Sequence, residues 1–167
     1  MNIVKRLCHL MVLLIFVGNL IPEAHAQSED VKEVKKTIQS LFEGMKKSDS
    51  AMVAAAFVKS PAMQTVAQNP AGETMIQHGD LEKFKQAVSI PKEQLWDERI
   101  NSYDINIDGN MASVWTPYEF WVGDTFSHCG VNSFLMVKLG GVWKILSVTD
   151  TRRKENCGQK SKMDIKH

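Results

Sequence analysis

The first regular pattern in the chain is a helical stripe. From Val31 to Met45, apolar residues recur at spacings of three and four, which predicts an amphipathic helix with one buried face. The preceding segment Ser28–Asp30 is typical of a helix start, because its hydroxyl can cap the first turn and its two acids complement the helix dipole. The sequence therefore predicts a helix that begins near Ser28 and ends at Lys46 and Lys47.

Two shorter helices and two short strands are predicted next. The polar segment Ser48–Ser50 interrupts the first helix and caps a second one, Ala51–Phe57. A third helix is predicted over Asp80–Pro91, where the aspartate caps the start and the proline ends the helix. Between these helices, Met63–Ala67 and Thr74–Gln77 are predicted as short strands.

From Gln94 onward the apolar pattern changes to a period of two, which is typical of half-buried strands. The predicted strands are Trp96–Ile107, Met111–Val122, Thr125–Leu139 and Val142–Thr151. The turn Asp108–Asn110 is typical of a tight hairpin. Three helices followed by a four-stranded antiparallel meander predict an α+β domain in which the helices gather on one face of the sheet.

The second long strand predicts which face of the sheet is buried. One face carries Ala112, Val114, Thr116, Tyr118 and Phe120. Because this face and the helical stripes both need an apolar partner, we expect them to meet and to leave a cavity near Tyr118 and Phe120. Trp115 and Trp121 alternate to the other face, where exposed aromatic rings favour a homodimer contact.

The amino terminus has the three parts of a secretory signal peptide. A basic start at Lys5 precedes the apolar run Leu10–Val17, and Ala24–Ala26 provides small residues at the cleavage site. An uncleaved membrane anchor is the alternative, but a span needs roughly 20 apolar residues and Gly18–Asn19 interrupts this run. The sequence therefore predicts a signal peptide over residues 1–26 and cleavage after Ala26.

Cleavage would leave a single domain over residues 27–155 and a polar tail over 156–167, located in the periplasm or secreted. The chain has 20 basic and 19 acidic residues, and the signal peptide contains Lys5, Arg6 and Glu23, so the mature protein carries no formal net charge. A balanced surface gives no electrostatic basis for binding nucleic acid or an anionic membrane. We expect neither partner after cleavage.

Two cysteines, Cys129 and Cys157, remain in the mature chain. In an oxidising compartment an isolated pair favours a disulfide or two inert thiols over a metal site. We predict a disulfide that ties the tail to the third long strand, and we expect no metal. A thiol nucleophile activated by the adjacent His128 is disfavoured, because neighbouring residues of a strand point to opposite faces.

Several segments resemble one known superfamily. The segments are Ala112–Phe120, Ser127–Phe134, Gly141–Ile145 and Asp150–Arg153. They are similar to the nuclear transport factor 2-like superfamily, and in particular to its bacterial lumazine-binding and polyketide-cyclase-like (SnoaL-like) branch. The resemblance covers roughly Val31–Cys157.

The resemblance implies a cone-like fold, in which a strongly curved antiparallel sheet wraps the N-terminal helices and leaves a cavity at its open end. Relatives include ketosteroid isomerase, scytalone dehydratase, polyketide cyclases and members without known activity. Their catalytic motifs are not matched residue by residue, so the resemblance predicts the fold and assigns no catalytic role. We expect no cofactor.

Three residues are candidates for chemistry in such a cavity. His128 could act as a base or donor, since its unperturbed pKa lies near neutrality, or it could be a structural histidine. Asp150 could orient His128, or it could pair with Arg152 or Arg153 at the rim. Tyr118 could donate to a ligand oxygen, although a buried tyrosine commonly finds a structural partner.

The leading hypothesis is a binding protein that holds a small, mostly apolar or ring-shaped ligand. Its predicted ligand-binding residues are Val114, Thr116, Tyr118, Phe120 and His128. The alternative is a small isomerase, dehydratase or cyclase that uses His128 and Asp150 as an acid–base pair and Tyr118 as a donor. A third hypothesis is a structural protein whose own side chains fill the cavity.

Overall fold

The computed structural model describes residues 21–157. The apolar run of the predicted signal peptide and most of the predicted polar tail lie outside the described residues. Within the described range, no helix has the length and apolar character needed to cross a membrane.

Three helices precede or interrupt the sheet, as the sequence predicts. They are α1 (Ile21–Lys46), α2 (Ser50–Ala56) and α3 (Leu81–Ser89). The predicted caps of the two short helices are confirmed, because Asp49 accepts a hydrogen bond from the amide of Met52 and Asp80 accepts one from the amide of Lys83.

The predicted start of the first helix near Ser28 is wrong, because α1 already begins at Ile21. Pro22 lies in its first turn, where a proline is tolerated, and neither proline nor glycine occurs again before Gly44. No residue between Pro22 and Ser28 is therefore of a type that would end the helix.

Seven strands form one sheet, rather than the predicted four-stranded meander with two separate short strands. They are β1 (Phe57–Gln68), β2 (Thr74–Gly79), β3 (Trp96–Ile100), β4 (Asp104–Asp108), β5 (Met111–Val122), β6 (Thr125–Leu139) and β7 (Val142–Thr151). Their order is β2-β1-β7-β6-β5-β3, and β4 also pairs with β5. All pairs are antiparallel except β1 with β7, which is parallel.

Two strand predictions need correction, and a proline explains each. The predicted strand Trp96–Ile107 is divided into β3 and β4, which pair with opposite halves of β5. Pro117 on β5 has no amide hydrogen to donate to a partner strand. Between β3 and β4, the amide of Asn101 donates a hydrogen bond to the carbonyl oxygen of Pro117. β1 begins at Phe57 instead of Met63, and Pro61 falls where the register with β7 shifts.

The helices pack into the concave face of the curved sheet, which confirms the α+β architecture. On β5, Ala112, Val114, Thr116 and Tyr118 are buried, while Trp115 between them is 53% exposed. Register shifts at Phe120–Trp121 and at Leu135–Met136 add bulges, and bulges increase the bend of a sheet. The bent end of the sheet surrounds the space described next.

Candidate functional site

A cavity of about 700 Å³ lies between the helices and the concave face of the sheet. Its apolar wall includes Phe42, Phe84, Trp96, Phe120, Phe134 and Val148. The volume falls within the range of about 300–1,000 Å³ that is usual for small-molecule sites. The predicted position of the cavity near Tyr118 and Phe120 agrees with this wall, because both residues line it.

Polar side chains meet in this cavity because the strand register aligns them. Thr116 pairs with Asn132, Asn132 pairs with Asp150, and Asp150 pairs with Thr65. Residues opposite one another in a sheet share a face, so this row of four crosses β5, β6, β7 and β1 on the concave side. Three of the four, all except Thr116, line the cavity.

Asp150 is held by three neighbours. It accepts hydrogen bonds from the hydroxyl of Thr65, from Nε of Arg152 at 2.8 Å and from the hydroxyl of Tyr118 at 3.3 Å. The Tyr118 hydroxyl also lies 3.0 Å from the carbonyl oxygen of Thr151. Burial, first of all, raises the pKa of Tyr118 well above its usual range, so the phenol stays protonated and can donate. The arrangement corresponds to the structural pairing of Asp150 with Arg152.

His128 lies in a ring of aromatic contacts. Its imidazole stacks on Phe120 with ring centroids 5.0 Å apart, and the Tyr118 ring meets it edge-on at 5.8 Å. Removal from water, and next the positive charge of Arg152, hold the pKa of His128 below its usual value. Nδ1 lies 3.0 Å from the hydroxyl of Ser127. Within residues 21–157 no hydrogen bond joins His128 to Asp150, so the predicted acid–base pair is not hydrogen-bonded.

Glu98 is a cavity residue that the sequence interpretation missed. It lies on β3 opposite Phe120, and its Oε1 accepts a hydrogen bond from Nδ2 of Asn132 at 2.7 Å. The pKa of Glu98 is raised to about 8, because burial, and to a smaller degree the charge of Asp150, outweigh the lowering effects of Asn132 and Arg152. Glu98 is therefore mostly protonated at neutral pH, when its carboxylic acid can donate a hydrogen bond.

Two predicted ligand-binding residues lie outside the cavity wall. Val114 and Thr116 are fully buried in the core beneath the helices, whereas Tyr118, Phe120 and His128 line the cavity. The alternation of β5 correctly places the four predicted β5 residues on the concave face. The helices cover the part of that face that carries Val114 and Thr116. Within the described residues, the hydroxyl of Thr116 is buried without a hydrogen-bond partner.

A disulfide joins Cys129 to Cys157, whose Cα atoms are 5.8 Å apart. Between them, the backbone amide and carbonyl of Arg153 pair with those of Cys129 at 2.9 and 2.8 Å. This contact extends the β6–β7 pairing beyond Thr151 and fixes the chain on both sides of Arg152. The disulfide thus lies close to the cavity rim that carries Arg152.

A second hollow of about 880 Å³ lies between α1 and the segment from Asp97 to Tyr103. Its wall is largely polar and shares Glu98 with the cavity of the concave face. Two of its residues, Lys46 and Asp97, form an ion pair with each other at 3.1 Å. Lys35 lies 4.9 Å from the centre of the Tyr103 ring. We regard the cavity of the concave face as the candidate site, because it combines apolar walls with converging polar groups.

Comparison with known proteins gives one match to a protein family. The family is described as putative lumazine-binding, and its sequence model matches residues 29–149. No curated protein matches the chain.

Solved structures share the fold at low sequence identity. A nuclear transport factor 2-like protein of unknown function from Shewanella baltica is 15% identical, with a TM-score of 0.56 over 75% of this chain and 95% of that one. A cystatin-like-fold protein from Nostoc punctiforme is 13% identical, with a TM-score of 0.58 over 75% and 92%. A putative scytalone dehydratase from Novosphingobium aromaticivorans is 13% identical, with a TM-score of 0.63 over 78% and 88%. These likenesses confirm the predicted fold.

Proposed function

Because the chain belongs to the family described as putative lumazine-binding, we propose that it binds a small, mostly apolar or ring-shaped molecule in the cavity of its concave face. The cavity itself is the observation that carries this proposal. Aromatic rings from helices and strands, such as Phe84 and Phe120, form much of its apolar wall, and polar side chains such as Asn132 and Asp150 also line it. Flat aromatic walls suit a flat or compact ring, and a few polar groups suit its orientation.

The states of His128 and Asp150 support a binding role. A histidine with a lowered pKa is neutral at physiological pH, so it offers a hydrogen bond without a charge. Asp150 is engaged by Arg152 and Thr65, an arrangement that favours a fixed structural ion pair over a mobile base. Both features are typical of a site that orients a ligand.

Glu98 favours a second candidate, an enzyme of the dehydratase or isomerase type. A carboxyl group whose pKa is about 8 can exchange a proton with a substrate near neutral pH. Tyr118 would donate a hydrogen bond, and His128 would lie beside the same ligand. In this candidate Glu98 takes the acid–base role that the sequence interpretation gave to His128 and Asp150. A structural neighbour is described as a putative scytalone dehydratase.

We also propose that the protein is exported after cleavage at Ala26. The support is the sequence pattern of residues 1–26. N-terminal sequencing of protein recovered outside the cytoplasm should begin at Gln27, and a retained Met1 would contradict the proposal.

Two valines on β7 provide a matched test of the cavity. Val148 lines the cavity, whereas Val142 on the same strand is exposed. Val148→Trp should fill the space and abolish binding of anilinonaphthalene sulfonate, an anionic fluorescent probe of apolar cavities, while Val142→Trp should bind it like the wild type. Thermal unfolding would verify that both variants fold. Equal probe binding by two folded variants would contradict a ligand site in this cavity.

Native mass spectrometry of protein from its own host separates a binding protein from an enzyme of the dehydratase type. A binder should retain one small molecule unchanged after incubation. An enzyme of the dehydratase type should convert it to a product that lacks one water.

A further inference from the structure

We propose that Glu98 and Asn132 form a subsite that recognises a hydrogen-bond acceptor on the ligand, such as the carbonyl oxygen of a neutral ring, with the protonated carboxyl of Glu98 as donor. This inference rests on the proposed binding function and adds the chemical class of the ligand. It concerns side chains from β3 and β6 that the strand register brings together across the concave face.

The hydrogen bond between the two side chains determines where the proton of Glu98 lies. Asn132 is 95% buried, and its Nδ2 donates to Oε1 of Glu98 at 2.7 Å. The carbonyl oxygen of a carboxylic acid is a better acceptor than its hydroxyl oxygen, so this bond favours the acid hydrogen on Oε2. Within residues 21–157, Oε2 has no hydrogen-bond partner, and Glu98 lines the cavity. The subsite therefore presents an O–H group to the ligand.

The groups around Glu98 determine its charge. Asp150 opposes ionisation of Glu98, and Arg152 favours it, but these two are paired with each other at 2.8 Å. Tyr118 and Tyr103, whose own pKa values Glu98 raises, are uncharged phenols, and His128 has a lowered pKa. Lys46 and Asp97, which line the second hollow with Glu98, form an ion pair with each other. Lys35 and Lys36 of α1 line the second hollow together with Glu98, but Lys35 lies over the Tyr103 ring and Lys36 pairs with Glu33. Burial is the largest influence on the pKa of Glu98 and favours its neutral form.

A neutral donor in an aromatic cavity defines the ligand class. An ionised carboxylate would repel a ligand carbonyl, whereas a carboxylic acid donates to it. Trp96 and Phe120 lie on the same wall as Glu98, since Glu98 pairs with Phe120 across the strands. Their ring centroids are 6.3 Å apart in an edge-on arrangement. The ligand predicted by these neighbours is an uncharged ring that places a carbonyl or equivalent acceptor toward β3.

Two probes that differ only in the acceptor test this inference. Indanone carries a ring carbonyl, and indane is the same ring system without it. Binding to the full mature chain is followed by NMR titration at about pH 6 and about pH 9.5, on either side of the pKa of Glu98. One hydrogen bond gives a preference of about fivefold for indanone at the lower pH. That preference should disappear at the higher pH.

Variants at Glu98 supply the control. Glu98→Gln keeps an N–H donor and has no proton to lose, so its preference for indanone should persist at both pH values. Glu98→Met removes the donor and should bind both probes equally. The carbonyl stretching frequency of bound indanone should fall in the wild type at the lower pH and remain unshifted in Glu98→Met.

The outcomes separate this inference from the proposed function. Equal binding of both probes by the wild type at both pH values overturns the acceptor subsite and leaves the cavity as a binding site. A preference for indanone that persists in Glu98→Met means that another residue is the donor, and this result also overturns the proposed subsite. Failure of both probes and of anilinonaphthalene sulfonate to bind at all contradicts the proposed function itself.

Discussion

Tyr118 lies across Gly130, its partner on the adjacent strand, and the missing side chain of the glycine makes room for the crossing. A Cβ atom at Gly130 would lie 2.9 Å from Cε1 of Tyr118 and 1.8 Å from the carbonyl oxygen of Thr151. The Tyr118 hydroxyl uses this space to reach that same carbonyl at 3.0 Å. The glycine therefore positions the Tyr118 phenol next to Asp150 in the cavity wall.

Gly130→Ala should destabilise the protein by about 3 kcal/mol or more, because a methyl group cannot occupy that space without a backbone shift. Urea denaturation measures the change in the free energy of unfolding. Gly140→Asn is the control, since Gly140 has a φ of 57° with nothing within 4 Å of a new Cβ, and asparagine tolerates this backbone conformation. A fully stable Gly130→Ala variant would show that the crossing is not rigid.

The disulfide should stabilise the mature protein. Cys129 and Cys157 are 28 residues apart, and closing a loop of that length restricts the unfolded chain by roughly 3–4 kcal/mol. The mass of exported protein should be two hydrogens below that of the reduced chain. Dithiothreitol should lower the stability of the wild type but leave the Cys129→Ala/Cys157→Ala variant unchanged. Free thiols in the exported protein would contradict the prediction.

Much of the fold could be predicted because its signals are local. Alternation along β5 correctly separates buried Val114 from exposed Trp115, and the aspartates at 49 and 80 cap the helices predicted for them. The split between β3 and β4 depends instead on Pro117, which lies in a different strand. Effects that one strand exerts on another require knowledge of the pairing, and a single sequence does not provide it.

The same reason explains why Glu98 was missed. A single acid between Trp96 and Ile100 on the inward face of a strand was a usable signal, but the sequence interpretation considered only the histidine and the aspartate of the later strands. The partner that makes Glu98 notable, Asn132, is 34 residues away. Its raised pKa arises from burial beneath helices, which no local pattern encodes.

Trp115 should mediate a homodimer through the outer face of the sheet. Its side chain is 53% exposed on the convex side, while Trp121 on the same face is covered in part by Phe126 and Arg99. Trp115→Glu should convert a dimer to a monomer without loss of fold, because a charge is poorly tolerated in an apolar contact. Light scattering at micromolar concentration measures the change. A monomeric wild type would rule out this interface.

His128 should titrate below the usual histidine pKa of about 6.5 in the free protein. Arg152→Met should move the value upward, since the guanidinium disfavours the charged imidazole and Asp150 favours it. Arg153→Met is the control, because Arg153 is exposed and bonds to Cys129 only through its backbone. NMR titration gives the pKa of His128 in the wild type and in both variants. A wild-type pKa well above 6.5 would instead indicate an acid–base pair with Asp150 and favour the enzyme.

The last prediction concerns stability as a function of pH. The carboxyl of Glu98 has a pKa of about 8 in the folded protein and about 4.3 in an unfolded chain. Between these values the folded state holds a proton that the unfolded state has lost, so the contribution of Glu98 to stability falls as pH rises from about 4.5 to about 8. His128 acts in the opposite direction, because its lowered pKa favours folding as pH rises toward about 6.5.

The Glu98 contribution is isolated by subtracting the stability of Glu98→Gln from that of the wild type at each pH. Glutamine keeps the size and the acceptor of the side chain but cannot ionise, and His128 is common to both proteins. The difference should fall steadily across the range from about pH 5 to about pH 8 and then level off. Glu93→Gln, at an exposed position outside the cavity, is the matched control for the loss of one carboxylate. A flat difference for Glu98→Gln would mean that Glu98 is ionised in the folded protein, and Glu98 could then serve neither as a hydrogen-bond donor to a ligand nor as the acid of an enzyme.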